Sequence, residues 1–450
     1  MAENDNQPLR TLVVGLGATG LSVARHLKRQ GIPVAIVDSR AEPPGLAQLQ
    51  QEHKDVAAFL GGFDDALFEQ ADMLVVSPGV PLSTPQIARA STRGVPVIGD
   101  IELFARAVRA PVVAITGSNG KSTVTTLVGE MVKAAGLRAA VGGNLGTPAL
   151  DLLDDRTELY VLELSSFQLE STRSLYPAVA CVLNLSPDHM DRYPDLAAYA
   201  AAKARVLEGA ETRVCNADDP VVMAMPGAGN AVTFTLGEPC DEEQFGVREQ
   251  AGRTWLCQGT TPLIAADEVL IPGLHNRANA LAALAIGSVL NLPPEVMTEV
   301  LRRFPGLPHR CEFVGEVNGV RWYNDSKATN VGAALAALKG LEQGDDSRAV
   351  MILGGDCKEG DFGEMREALA RHARGVVLMG RDREQIRPAI PESCQVADAG
   401  DLEEAVGLAL EMARPGDHVL LAPACASFDQ FRDYAERGDR FRGLVRRLGA

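Results

Sequence analysis

Thr116, Gly117, Ser118, Asn119, Gly120, Lys121, Ser122 and Thr123 stand between an apolar run at 111–115 and a segment of helical period at 122–136. A glycine-rich turn that leaves a buried strand and opens a helix presents backbone amides to a phosphate at the positive end of that helix. Here the amides of Gly117 to Thr123 would wrap a β-phosphate, Lys121 would neutralise the β and γ oxygens, and Ser122 would ligate Mg²⁺. The longer Walker spacing asks for a glycine where this chain has Ile115, so the loop is a shortened variant.

A second glycine turn lies near the N-terminus, with Gly15, Gly17 and Gly20 between the apolar run at 10–15 and a helical segment. Ala18 and Thr19 lie inside it, and Asp38 ends the next apolar run. Taken alone, this spacing suggests a dinucleotide site in which Asp38 accepts a ribose hydroxyl; the same glycines would also serve merely to close a tight turn. Between the two turns and the middle of the chain, three residues are candidates to complete a magnesium site. Glu163 ends an apolar strand, His189 shares a loop with Asp188 and Asp191, and Lys203 falls in a helical segment where a solvated cation is the default. Further on come polar clusters in apolar surroundings: 324–330 with Asp325, Lys327 and Thr329, 354–358 with Lys358, and 424–427 with Ser427, the last two directly following predicted strands. In open α/β sheets the ligand crevice lies beyond the strand carboxyl ends, so these clusters mark a binding edge.

Positioning so many sites requires several domains. The 450 residues are about three times the size of a single core. Strand and helix patterns alternate throughout, predicting an α/β chain of three units: a Rossmann-like unit at 1–99, a P-loop ATPase-like unit with a mainly parallel sheet at 100–306, and a second Rossmann-like unit at 307–450. The formal charge of −16 and the 5% aromatic content argue against a nucleic-acid partner, so any phosphate must be held by local loops, lysines or metal. No apolar run approaches the roughly 18 residues needed to span a bilayer, and the N-terminus lacks a signal pattern. A cytoplasmic protein with no membrane insertion is expected. Its eight cysteines never fall in a Cys-x-x-Cys spacing and are expected to be reduced thiols.

The loop at 116–123, the run His275, Asn276, Arg277, Ala278, Asn279, Ala280, the run Pro308, His309, Arg310, and the run at 324–330 together resemble the Mur ligase family, in the family's order and over nearly the whole chain. The runs at 326–330 and 423–431 are most similar to the members that add D-glutamate. The Asp-Asn-Pro-Arg motif of the diaminopimelate-adding members is absent. The resemblance implies an ATP-dependent amide ligase of peptidoglycan precursor synthesis, a monomer acting on UDP-N-acetylmuramoyl-L-alanine and D-glutamate through an acyl phosphate. It implies that Gly17, Ala18, Thr19, Asp38, Ser39, Arg40, Ser77, Pro78 and Gly79 hold the uridine diphosphate, with Asn144 and Ser165 facing the same substrate. Lys121 and Ser122 would bind ATP and one Mg²⁺, while Glu163, His189 and a CO₂-carbamylated Lys203 arrange a second. Asn276, Asn279, Arg310 and Asp325 would meet the nucleotide, and Lys327, Thr329, Lys358, Ser427 and Phe428 the D-glutamate. Phe428 departs from the leucine of the familiar enterobacterial type.

Three rival readings stay open at this level. A dehydrogenase would use the first glycine turn but leave residues 116–123 without a purpose. A non-enzymatic nucleotide-binding module would release no phosphate from ATP. A folate polyglutamate ligase would share the loops but differ in amine and acceptor.

Overall fold

In the computed structural model, which describes residues 10–341, 347–357 and 361–449, the chain forms three α/β units in succession, each on its own sheet. The first is a five-stranded parallel sheet with strand order Ala57–Leu60, Val34–Asp38, Thr11–Val14, Met73–Val76, Val97–Ile98. The second has nine strands, with Val112–Thr116 between Val179–Val182 and Leu159–Glu163, and Ala139–Gly143 at one edge. The third has six, with His418–Leu421 between Val320–Asn324 and Ala349–Gly354. All pairings are parallel except two antiparallel additions, Phe245–Gln250, Arg253–Gln258 and Thr261–Ala265 on the central sheet and Glu312–Val317 on the last. The α/β, mainly parallel class expected from the alternating patterns is the one observed.

The central strands Val112–Thr116 and Leu159–Glu163 are buried along their whole length, as expected for a sheet covered by helices on both faces. Helix Lys121–Ala134 covers one face through Val124, Leu127, Val128, Met131 and Val132, packing on helix Leu274–Val289. The small side chains of Ala280, Ala282, Ala283 and Ala285, all buried, let the second helix approach closely.

Helix Asp100–Ala107 is the wall between the first two units. Its Ile101, Leu103 and Phe104 belong to one continuous apolar cluster with Val13, Leu27 and Ile36 of the first sheet and Val112, Tyr160 and Leu162 of the second. Phe104 meets Tyr160 edge-on at 5.2 Å. The third unit keeps its apolar clusters to itself, from residue 311 onward.

One expectation is corrected. Cys357 and Cys425 form a disulfide, with Cα atoms 4.7 Å apart, while the other six cysteines are free. Sixty-eight residues separate the pair in sequence, but the ends of neighbouring strands bring them together, reinforced by the backbone pairing of Asp356 with Ala426. Spacing along the chain carries no trace of that neighbourhood. No helix among the described residues is long and apolar enough to cross a membrane.

The first glycine turn depends on close approach. A Cβ on Gly20 would lie 1.9 Å from the Gly15 carbonyl oxygen, a backbone atom that cannot step aside without parting strand from helix. Gly20→Ala should therefore destabilise by about 1–3 kcal/mol, the usual overpacking penalty, lowering the thermal midpoint by several degrees in scanning calorimetry. A melt superimposable on the parent's would show that the turn relaxes freely.

Candidate functional site

Parallel pairing places Thr116, Glu163 and Gly143 at one carboxyl edge of the central sheet, and the turn 117–120 leaves from it. Gly120 caps helix Lys121–Ala134 at φ 84°, a left-handed conformation, and a Cβ there would meet Asn279 Oδ1 at 2.3 Å, so glycine is required on two counts. Lys121 folds back over the loop, its Nζ donating to the carbonyls of Gly117 (2.8 Å) and Ser118 (2.9 Å). Burial, with the nearby Arg310 charge, lowers its pKa against the pull of Glu163 and Asp188.

Ser122 Oγ donates to Glu163 Oε2 at 2.5 Å and accepts from Arg310 Nη2 at 2.6 Å, so one hydroxyl links the loop helix, the neighbouring strand and the C-terminal unit. Glu163 is 3% exposed. Burial alone would raise its pKa, but the Lys121 charge, the hydrogen bonds from Ser122 and Asn144, and Arg310 hold it below the ordinary carboxylate value. Its other oxygen accepts from Asn144 Nδ2 at 2.6 Å.

Beside this edge lies a cleft of about 320 Å³ lined by Asn119, Gly120, Thr123, Asn276, Asn279, Arg310, Asp325 and Lys327, which brings the predicted nucleotide residues together. Asn279 Nδ2 donates to Asn276 Oδ1, and Asn276 Nδ2 in turn donates to Pro272 O. Surrounding protein pushes the half-buried Asp325 carboxyl up to about 7, with Arg310 opposing, and burial with the Arg310 and Lys121 charges brings Lys327 down to about 8. Asn184 and Ser186 also line the cleft.

Lys203 is not a surface cation. It is 1% exposed, its Nζ donates to Gly117 O at 2.8 Å, and it lies 4.6 Å from the centre of the Tyr199 ring. Burial, then the Lys121 charge, drives its pKa well below normal, against Asp188 and Glu163. His189, at φ 59°, packs on Phe167 and Tyr199, with its backbone N–H donating to Asp188. No group of three or more His, Cys, Asp or Glu converges among the described residues, so hydroxyl, substrate and water oxygens would have to complete any magnesium shell.

A second cavity, about 580 Å³, is lined by Gly17, Ala18, Thr19, Asp38, Ser39, Arg40, Ser77, Pro78, Gly79 and Asn144, together with Gln168. Ser165 is not on its wall. Asp38 accepts the Leu16 N–H at 2.7 Å and three hydrogen bonds from Arg40, which outweigh burial and hold it at about 2. A carboxylate so occupied supports the turn and has little capacity left for a ribose hydroxyl.

The residues expected around D-glutamate are not gathered in one place. Lys327 lines the same cleft as Arg310 and Asp325, with its Nζ 4.0 Å from the centre of the Tyr434 ring. Thr329 and His189 line a neighbouring cavity of about 190 Å³ with Asp188, Asn330 and Asp361. Ser427 is buried, Phe428 is 68% exposed, and Lys358 lies outside the described residues.

Several contributors were not singled out from sequence. Arg437, fully buried, donates to Ser326 Oγ and to the carbonyls of Ser326, Cys425 and Ala426, tying the loops at 324–330 and 423–427 together. Burial lowers it to about 10. Its signal was present: it shares one stripe with buried Gly438, Phe441 and Val445 on helix Tyr434–Leu448. Tyr199 stands four residues before Lys203, on the same helical face.

Three family models match in order: "Mur ligase MurD-like, N-terminal domain" at 9–99, "Mur ligase middle domain" at 115–287 and "Mur ligase, glutamate ligase domain" at 309–425. The chain is 51% identical to the UDP-N-acetylmuramoylalanine--D-glutamate ligase of Nitrosococcus oceani, covering 98% of this chain and 99% of that protein. It is 53% identical to the protein of the same name from Methylococcus capsulatus, covering 98% and 95%. Among solved structures, UDP-N-acetylmuramate-alanine ligase MurC of Thermotoga maritima superposes with a TM-score of 0.61 at 19% identity, covering 98% and 99%. MurF ligase of the same organism in complex with ADP gives 0.59 at 16%, covering 99% and 98%. Carrying this loop, these clefts and these matches along nearly its whole length, the chain belongs to the Mur ligase family.

Proposed function

We propose that this chain is a monomeric, cytoplasmic ligase that spends ATP to join D-glutamate to UDP-N-acetylmuramoyl-L-alanine in peptidoglycan precursor synthesis. The observation that carries the reading is the Ser122 hydroxyl held between Glu163 and Arg310, beside a phosphate-cradling turn and between two clefts. The relatives above 50% identity bear this activity in their name. A dehydrogenase is disfavoured by Asp38, whose oxygens are taken up by Leu16 and Arg40.

A carboxylate resists amine attack, so the muramoyl-alanine carboxylate first takes the γ-phosphoryl group of ATP. An O–P bond forms, the bond to the β-phosphate oxygen breaks, and ADP is the leaving group. Lys121, freed from the Gly117 and Ser118 carbonyls, and Arg310 stabilise charge on the transferring group, while the turn amides hold the β-phosphate. The D-glutamate amine then attacks the acyl carbon, and the tetrahedral intermediate expels phosphate to leave the amide. Asn276 and Asn279 hold the nucleotide, and the cavity around Thr329 receives the acceptor between the central and C-terminal units.

The hard oxygens of Ser122 and Glu163, 2.5 Å apart beside the turn, suit Mg²⁺, and two ions are proposed, the second held by Glu163, His189 and Lys203. Magnesium, when bound, neutralises charge on the phosphates. Lys203 joins such a set only after CO₂ carbamylates it, which converts a cation into an oxygen ligand; the depressed pKa of its buried amine supplies the neutral nucleophile that step requires.

Lys121→Ala should lower turnover by roughly 10²-fold or more in a coupled phosphate-release assay while leaving the circular dichroism spectrum unchanged, because a charge contact to the transition state is lost. Turnover near the parent's would sink the assignment of the loop to ATP. The same assay should favour D- over L-glutamate by at least about two orders of magnitude, since inversion leaves a buried charged group mispaired. Equal use of both isomers would reject the acceptor site. Lys203→Ala should collapse activity, and acetate or formate should restore part of it by supplying the missing ligand. Full unaided activity in that variant would eliminate the carbamate.

A further inference from the structure

Asp100 is a carboxylate buried to 2% exposure on the first turn of helix Asp100–Ala107, inside the apolar wall shared by the first two units. Among the described residues its one side-chain partner is Gln168, whose Nε2 donates to Asp100 Oδ2 at 3.0 Å. Burial pushes the carboxyl up to about 6, against that bond and the amides at the helix start. A buried acid with no cationic partner among the described residues costs stability, so the wall alone does not account for it.

The far end of the Gln168 amide has a separate task. Its Oε1 accepts the Ser165 backbone N–H at 3.1 Å and the Ser165 hydroxyl at 3.2 Å, while the Gln168 N–H donates to Ser165 Oγ, closing a capping box at the start of helix Ser166–Glu170. Ser165 lies two residues beyond Glu163, and Gln168 lines the cavity that also contains Asn144, Arg40 and Ser77. A primary amide has one donor end and one acceptor end, and rotation by half a turn would point its NH₂ at the Ser165 N–H. Asp100, accepting only, selects the orientation in which Oε1 faces Ser165.

We infer that Asp100 is a positioning residue for the UDP-linked substrate: it reaches from the wall between the first two units, fixes the Gln168 amide, and through it shapes the cavity floor next to Glu163. This rests on the proposed assignment of that cavity to UDP-N-acetylmuramoyl-L-alanine. Loss of the acceptor frees the amide to rotate, which weakens binding of that substrate and leaves the nucleotide cleft, on the other side of Ser122, untouched.

The test is calorimetric binding of UDP-N-acetylmuramoyl-L-alanine and, separately, of ATP to the full chain. Asp100→Ala should weaken the UDP-linked substrate by about tenfold and leave ATP within about twofold. Asp100→Asn, which keeps an acceptor oxygen but removes the charge, should bind within about threefold of the parent. Equal damage in both variants would assign Asp100 to the charge at the helix start and overturn the inference, as would undiminished binding in Asp100→Ala. Should the alanine variant fail to fold, a swap decides: Gln168→Glu sets two carboxylates face to face and should weaken the same substrate, and adding Asp100→Asn should recover most of the loss. No recovery in the double variant would overturn the inference. Parent protein that fails to bind the UDP-linked substrate would instead remove the cavity assignment beneath it.

Discussion

The hydroxyl of Ser122 is the point at which the central and C-terminal units meet beside the glycine turn. It donates to Glu163, Glu163 accepts from Asn144 on the wall of the first cavity, and Arg310 reaches in from the third unit. This line of hydrogen bonds runs from the cavity that Asn144 lines to the cleft that Arg310 lines, through protein of low effective dielectric, where each charge-assisted bond is stronger than in water and each broken one costs more. Glu163 stays ionised at 3% exposure only because Lys121, Ser122, Asn144 and Arg310 surround it. The chemistry at either cleft is therefore coupled to the placement of one buried carboxylate.

The three units are joined by different kinds of contact. The first and second share a continuous apolar cluster through Ile101, Leu103 and Phe104, and opening that seam would expose fully buried side chains. The described contacts of the third with the catalytic edge of the second include two polar bonds, Arg310 to Ser122 and Asn330 to Asp188. Bonds of this type exchange readily with phosphate oxygens or water, so these polar contacts are held less firmly than the apolar seam.

Much of this was legible from local signals. The apolar runs flanking 116–123 specify strand, turn and helix by adjacency alone, and the family's four motifs in order supplied Asn276, Asn279, Arg310 and Asp325, which line one cleft with Gly120. Illegible features depend on side-chain contacts that spacing along the chain does not show. The Cys357–Cys425 bond joins the ends of two strands, and nothing in a spacing of sixty-eight residues signals it. Lys203, on an alanine-rich helix that gives no cue to burial, is enclosed because Tyr199 and the carbonyl of Gly117 close over it. Asp38 has the position expected of a ribose ligand, yet Arg40, two residues away, satisfies it.

The acceptor side shows the same principle most sharply. The loops at 324–330 and 423–427, which sequence places far apart, are tied together by Arg437, a buried guanidinium whose described hydrogen-bond partners are Ser326 Oγ and the carbonyls of Ser326, Cys425 and Ala426. A guanidinium offers five donors in a rigid fork, so it can bind two loops at once where a lysine would supply a single point charge. Burying a charge is costly; the Asp429 charge opposes that cost in part, and the hydrogen bonds draw both loops to one planar group. The placement of the loops at 324–330 and 423–427 is therefore fixed in part by a residue on helix Tyr434–Leu448 that lines neither cleft, and motif matching, which finds residues that touch ligands, passes over the one that sets where those loops stand.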